Sequence, residues 1–475
     1  MQALFKDIKP FEKLEFAAML ALALAIPFHW FAAQVGEALL LVCAFLKVVF
    51  EQKFHWNKAQ MKYKWVYIVY ASTWLMYLIG MLYTENHWFG WIQVSKKLGF
   101  LIFPAIFLFS DMSYLSKDRI RAIGKVFVVG CLLFFIMNVG YALYDVLFNG
   151  ATNERFFDQG LMKLYYVQHS YVAMYAGLGM MFCFVEIFEN DSRKVKIVNI
   201  IAYVLLFVLS ILMRSRAGLL CLAILLVLQW IWLFFIMKKK KTGLIIGGLL
   251  VAAMAGSIVL FPQSYKRISS TVKEISSEYS SDHRLVQFKG YRQLLKEHWL
   301  FGVGTGDRTD MTQQSYYDYK DGIVEIIGED MAEVIDQVID NQWYEPSSSM
   351  RDYIYRKAEL MGKDPEVVTG QLVEYQFIRY AIDREINAHN MFFETIISVG
   401  IIGLLLLLAY FVIPLVLWIK TKRFDMLYFS FLIMIAFNML FESVFEVQMG
   451  IIFFCFFNML FFTKVFVNDN PKITE

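Results

Sequence analysis

MFFETIISVGIIGLLLLLAYFVIPLVLWI, residues 391–419, holds a single charged side chain, Glu394, in 29 positions. A helix of about 20 apolar residues crosses roughly 30 Å of hydrocarbon, so this stretch predicts a membrane span. Outward from it, similar runs fall near 14–32, 34–50, 65–83, 88–110, 124–148, 170–188, 197–213, 217–237, 243–261, 424–440 and 449–467. Together with 390–419 they predict an all-α integral membrane protein with about 12 transmembrane helices. Residues 14–32 could mimic a signal peptide, but there is no convincing small-x-small cleavage site and another apolar segment follows at once, so an uncleaved first span is expected. Composition agrees: 58% of residues are apolar and 18% charged, where soluble domains carry about a quarter charged residues. Cys43, Cys131, Cys183, Cys221 and Cys455 all lie in apolar runs without a C-x-x-C pair, which argues for packing rather than disulfides or a thiolate metal site.

Lysine and arginine orient the spans. Segments 1–13, 51–64, 111–125, 189–196, 238–241 and 420–423 carry 3, 4, 4, 3, 4 and 3 basic residues, whereas the short loops between them hold only Arg155, Lys163, Arg214 and Arg216. The asymmetry predicts cytoplasmic N- and C-termini, an even number of spans and one large extracytoplasmic loop. The chain then divides into residues 1–261 with nine spans, the loop 262–389, and residues 390–475 with three spans and a cytoplasmic tail. No feature points to nucleic acid. Arg214-Ser215-Arg216 stands against the charge rule: its arginines either snorkel to lipid headgroups or form an anion site.

The loop contains 15 basic and 22 acidic residues. Leu285, Phe288, Tyr291, Leu294 and Leu295 recur at helical spacing and predict an amphipathic helix against the membrane or the bundle. Gly302-Val303-Gly304-Thr305-Gly306 ends it. This run lacks a preceding strand, G-x-G-x-x-G spacing and a following Lys-Ser/Thr, so it reads as a tight turn that positions neighbouring chain, not as a phosphate loop. Residues 307–385 predict a small helical cap. Glu325, Glu329, Asp330, Glu333 and Asp336 lack the order and glycine of a calcium loop and read as a solvated helix face.

His389, followed by Asn390, closes the loop at the start of span ten, a position suited to a general base; the bland alternative is an interfacial or helix-capping histidine. Other polar residues fall on the same predicted face: His169 and Ser170 at the start of span six, Arg284 in the amphipathic helix, and Glu442, Glu446 and Gln448 between spans eleven and twelve. Lys96 and Lys97 lie inside span four, where a cation is costly and usually lines a polar cavity. The seven histidines form no H-x-x-x-H pair, and no D-x-D sits in an outer loop, so no metal or other cofactor is expected; arginine can supply the charge at phosphate oxygens.

The chain resembles the O-antigen ligase and O-antigen polymerase superfamily of bacterial envelope glycosyltransferases. The matching pieces are Ser215-Arg216-Ala217-Gly218, Arg284 with HWLFGVGTGD at 298–307, and AHNMFFETIISVGIIGLL at 388–405, together with HSYVAMY at 169–175 and FESVFEVQMGIIFF at 441–454. Spans one to five match only in number and hydrophobicity, and residues 308–385 have no counterpart. The resemblance implies a GT-C-like helical architecture in the bacterial inner membrane, with a periplasmic active site. It implies transfer of a glycan from undecaprenyl diphosphate to an acceptor, without nucleotide or metal. His389 takes the place of the catalytic histidine, and Arg216 and Arg284 those of the diphosphate-binding arginines. Arg214 joins them by adjacency, while Lys96, Lys97, His169, Asn390 and Glu442 are candidate cavity residues. Expected partners are the lipid-linked glycan donor, a lipid A-core or other glycan acceptor, and membrane lipids. O-antigen ligation leads, with O-antigen polymerisation or glycosylation of protein hydroxyls as alternatives. From another class, a lipid or solute transporter stays open, although no repeat relates the two halves.

Overall fold

A computed structural model describes residues 2–50, 58–245, 247–248, 283–338 and 348–468. Among them the α-helices of ten residues or more are α1 (Pro10–Ala25), α2 (Trp30–Phe50), α3 (Lys64–Ile79), α4 (His87–Lys96), α5 (Gly99–Phe109), α6 (Lys117–Phe148), α7 (His169–Glu189), α8 (Arg193–Leu212) and α9 (Arg216–Ile231). They continue with α10 (His283–His298), α11 (Arg308–Ile327), α12 (Glu329–Val338), α13 (Ser348–Leu360), α14 (Pro365–Asp383), α15 (Met391–Thr421), α16 (Met426–Met439) and α17 (Gln448–Phe462). No described residue lies in a strand.

Nine described helical stretches are long and apolar enough to cross a membrane. The spans expected at 14–32 and 424–440 are shorter helices, α1 with 16 residues and α16 with 14. The span expected at 243–261 lies, beyond residue 248, outside the described residues.

The chain forms two compact units. The first comprises the described parts of residues 1–79, 92–244 and 405–475. Its centre is α7 and α17: every residue from Ser170 to Glu186 and from Met449 to Phe462 is buried. A helix apolar all round must be enclosed by others, and these two are. Aromatic rings fill the space around them, with Tyr175 against Phe453 at 4.8 Å and Phe127 against Phe457 at 4.9 Å between centroids. Lys47 of α2 shows how a cation is tolerated inside this unit. Its ammonium donates to Glu15 Oε2 at 2.8 Å, Ser110 Oγ at 3.0 Å and the Asp111 carbonyl at 2.7 Å, which uses all three protons.

The second unit comprises residues 80–91 and the described parts of 245–404. Helices α10, α11 and α14 enclose Val286, Tyr291, Leu294, Tyr316, Ile378 and Ala381, and α11 continues into a second core with Ile323, Ile327, Met331, Ala358 and Leu372. The amphipathic α10 therefore finds apolar partners both within the loop and at the start of α15, where Phe393 and Ile397 close the same core. Lys289 of α10 and Tyr319 of α11, whose hydroxyl donates at 2.7 Å, meet on the buried Glu374 carboxylate of α14. Burial first, and the Glu374 carboxylate second, holds the Tyr319 phenol above its usual range. Glu325, Glu329, Asp330 and Glu333 face outward, as a solvated helix face requires.

Candidate active site

In the second unit, His389 sits immediately ahead of α15 in a left-handed conformation, φ 44°. Local polar groups hold it there. The His389 amide donates to Asn387 Oδ1 at 3.1 Å, and Asn390 Oδ1 caps α15 by accepting from the Phe392 and Phe393 amides at 3.0 and 3.1 Å. Glu394, the one charge of the 391–419 run, turns back to accept the Ala388 amide on Oε1 at 2.6 Å while its Oε2 pairs with Arg308 of α11. Both partners are buried. Burial first, and the Glu394 charge second, holds the Tyr291 phenol above its usual range, so it stays a neutral neighbour.

Ten residues into α15 the helix breaks. Gly400 adopts φ 70°, ψ −166°, and the helix continues beyond it. The break frees backbone groups that a membrane interior cannot hydrate, and the glycine-rich run satisfies them. The Val303 amide donates to the Ile397 carbonyl at 2.7 Å, the Gly304 amide to the Ser398 carbonyl at 3.2 Å, and the Ile401 amide to the Leu300 carbonyl at 3.3 Å. Gly302 and Gly304 have positive φ, as the turn read from sequence requires. Asp307 then accepts the Glu85 and Asn86 amides at 2.8 and 2.7 Å and so ties residues 80–91 to the same structure. In many secondary transporters discontinuous helices form the binding site, with half-helix ends pointing into it.

In the first unit the remaining candidates fall around the start of α7, the α4–α5 junction and the α16–α17 connection. Ser170 Oγ donates to Glu442 Oε1 at 2.9 Å and Gln168 Nε2 to Glu442 Oε2 at 3.3 Å. His169 instead meets Gln159 Nε2 through Nδ1 at 3.0 Å. Lys97 is fully buried: its ammonium pairs with Glu446 Oε1 at 3.0 Å, donates to the Phe445 carbonyl at 3.2 Å and lies 4.5 Å from the Tyr77 ring centre. Lys96 is partly buried and makes no ion pair among the described residues. Arg214 has φ 43° between α8 and α9; its guanidinium pairs with Glu154 at 2.9 Å and stacks 3.6 Å from the Phe157 ring centre. Ser215 caps α9 by accepting the Gly218 amide at 3.1 Å, and Arg216 is the first residue of that helix. The side chains of Arg216 and Arg284 lie outside the described residues.

The Lys97–Glu446 pair makes a testable distinction. Removing one partner strands a buried charge, whereas replacing both with apolar groups is often neutral. Lys97→Met alone is expected to lower the thermal midpoint in detergent by several degrees, and Lys97→Met/Glu446→Leu to recover most of the loss. Equal loss in both variants would assign the lysine a role beyond its pairing.

Three residues of this arrangement carry no role in the sequence reading: Asp307, Arg308 and Glu394. Glu394 was signalled by its isolation, because a lone carboxylate in a span is a candidate for function. Arg308 and Asp307 gave no such signal; their partners are remote in sequence. No curated protein matches this chain. The O-antigen ligase family matches it over residues 201–329, from within α8 through Arg214–Arg216 and the glycine-rich run to the start of α12, and stops short of His389. Through that stretch the chain resembles the O-antigen ligase and polymerase superfamily.

Proposed function

We propose that this chain is a membrane glycosyltransferase that moves a glycan from undecaprenyl diphosphate to an acceptor hydroxyl at the periplasmic face of the bacterial inner membrane. O-antigen ligation to lipid A-core is the favoured reaction. The observation that carries the proposal is the family match at 201–329, which contains both Arg214-Ser215-Arg216 and Gly302–Asp307.

The chemistry follows from the residues. No ATP is available outside the cytoplasm, so the energy arrives in the sugar–diphosphate bond. Diphosphate is a good leaving group, and Arg216 and Arg284 offset the charge that develops on it. Arg214 contributes less, since it is already paired with Glu154. His389 takes the proton of the acceptor hydroxyl as that oxygen attacks the anomeric carbon, with inversion. A sugar hydroxyl is too weak an acid to ionise beforehand, so proton transfer and attack are concerted.

The test is to incubate the purified protein with lipid-linked glycan and, separately, lipid A-core, a second lipid-linked repeat or a protein acceptor. Product on lipid A-core is expected. Product on lipid-linked repeats alone would make the enzyme a polymerase, and product on protein alone a protein glycosyltransferase. Lipid movement across vesicles without any transfer would make it a transporter.

Glu394 is expected to act through His389 by fixing the Ala388–His389 backbone. Glu394→Gln keeps an oxygen for the Ala388 amide but removes the charge facing Arg308. Transfer should fall about ten-fold in kcat with KM for the donor little changed, because a misplaced base impairs attack more than binding. A change confined to KM would place Glu394 in donor binding instead.

A further inference from the structure

The first unit has a second polar constellation, at the end where α6 and α16 begin and α7 ends, whereas Ser170 and Glu442 mark the opposite ends of α7 and α16. A partly open pocket lies there. Phe182, Val185 and Trp232 give it an apolar wall, and Lys117, Arg121, Lys125, Glu186 and Glu189 give it charges of both signs. The key group is Glu186, only 3% exposed. Its Oε2 accepts from Lys125 at 3.0 Å and from Asn190 Nδ2 at 3.2 Å. Its Oε1 is buried without a hydrogen-bond donor, with Arg121 Nε 3.8 Å away. Arg121 is shared with Glu189. Lys464, also at the pocket, is committed to Asp425 at 2.6 Å. Lys117 makes no ion pair among the described residues.

A buried carboxylate oxygen without a donor is costly, and a cation without a partner beside it attracts an anion. One ligand class answers both: a molecule that carries a primary ammonium next to a phosphate. The basic loops gather at this end of the bundle, which the charge rule puts at the cytoplasmic leaflet. We propose that the pocket binds the headgroup of an aminophospholipid from that leaflet. The ammonium donates to Glu186 Oε1, the phosphate lies on Lys117 and Arg121, and the acyl chains run along the apolar wall. This site is independent of the glycan-transfer reading, and its contacts define a selectivity. A trimethylammonium headgroup has no N–H to give Glu186, and a glycerol headgroup has no positive charge to face two carboxylates.

The test is native mass spectrometry of the full-length protein in detergent, titrated with phosphatidylethanolamine, phosphatidylcholine or phosphatidylglycerol. Phosphatidylethanolamine should be retained at least about ten-fold better than the other two, the worth of one charge-assisted hydrogen bond. Glu186→Gln should abolish that preference. Lys117→Gln, at an exposed position that leaves the fold intact, should weaken retention of phosphatidylethanolamine, which keeps the test decisive if the buried variant does not fold. Soluble phosphoethanolamine should compete where inorganic phosphate does not. Equal retention of the three lipids, equal competition by inorganic phosphate, or an unchanged preference in a folded Glu186→Gln protein would each overturn the assignment.

Discussion

Replacing His389 with asparagine is expected to reduce glycan transfer by about 10²–10⁴-fold, the range for loss of a positioned general base. Asparagine is the informative substitution because of the backbone. His389 has φ 44°, a region that asparagine tolerates better than other residues with a Cβ, so the turn into α15 should survive. Alanine would confound lost chemistry with a strained turn. The Asn387 and Asn390 side chains and the Glu394 carboxylate all bond backbone amides, not the imidazole, so they remain able to hold the loop in the variant. The measurement is product formed from lipid-linked glycan under single-turnover conditions, alongside the thermal midpoint in detergent. An unchanged midpoint with lost transfer assigns the imidazole to the chemistry. Transfer at the parent rate would reduce His389 to a turn residue and leave the proposed mechanism without its base.

Much of the fold was legible because hydrocarbon is an unforgiving solvent. Runs such as 170–188 and 449–467 have no other use in a chain of this composition, and they are α7 and the stretch that contains α17. The amphipathic helix of the loop was legible for a different reason: Tyr291 and Leu294 repeat at helical spacing, and the structure buries both. What the pattern could not say was against what. Periodicity gives a face, not a partner, and α10 packs on α11, α14 and the start of α15, elements remote in sequence, as with Ser315 Oγ on the Gly290 carbonyl, Lys289 on Glu374 and Phe288 against Phe393. The same limit applies to the candidate site. His389 stood out through its position beside a span, and Lys97 through its cost inside one. That Lys97 meets Glu446 and that Glu394 meets Arg308 are facts about tertiary pairing, which residue types and spacing do not encode. The 391–419 run itself reads as one continuous span; of its two glycines, Gly400 and Gly403, neither gives a local signal that the helix stops and restarts at the first.

That break supports the second large effect. Gly400→Ala is expected to destabilise the protein by about 2–5 kcal/mol, a loss of many degrees in thermal midpoint and of folded yield. Two independent causes act together. The backbone at φ 70°, ψ −166° is a region occupied almost solely by glycine. A Cβ built there would also stand 2.2 Å from the Leu300 carbonyl oxygen, which belongs to backbone and cannot swing aside. Relieving the clash would separate the glycine-rich run from α15 and leave the Ile397 and Ser398 carbonyls without donors, at a position where water is scarce. Gly403 provides the control. It lies three residues further along the same helix with ordinary helical backbone, so Gly403→Ala meets crowding without backbone strain: its added Cβ would stand 2.2 Å from the Val399 Cγ2 methyl, a side-chain atom that a rotation of the valine can move, and the substitution should cost less than Gly400→Ala. Gly302→Ala should resemble Gly400→Ala, because its φ is 75° and its Cβ would lie 2.6 Å from the Ser398 carbonyl. The two substitutions act on one junction, so the double variant should lose less than the sum of the singles. Strict additivity, or a Gly400→Ala protein as stable as Gly403→Ala, would mean that the glycine-rich run and the broken helix do not support each other. The placement of His389 would then rest on the polar contacts around Asn387, Asn390 and Glu394 and not on the break in α15.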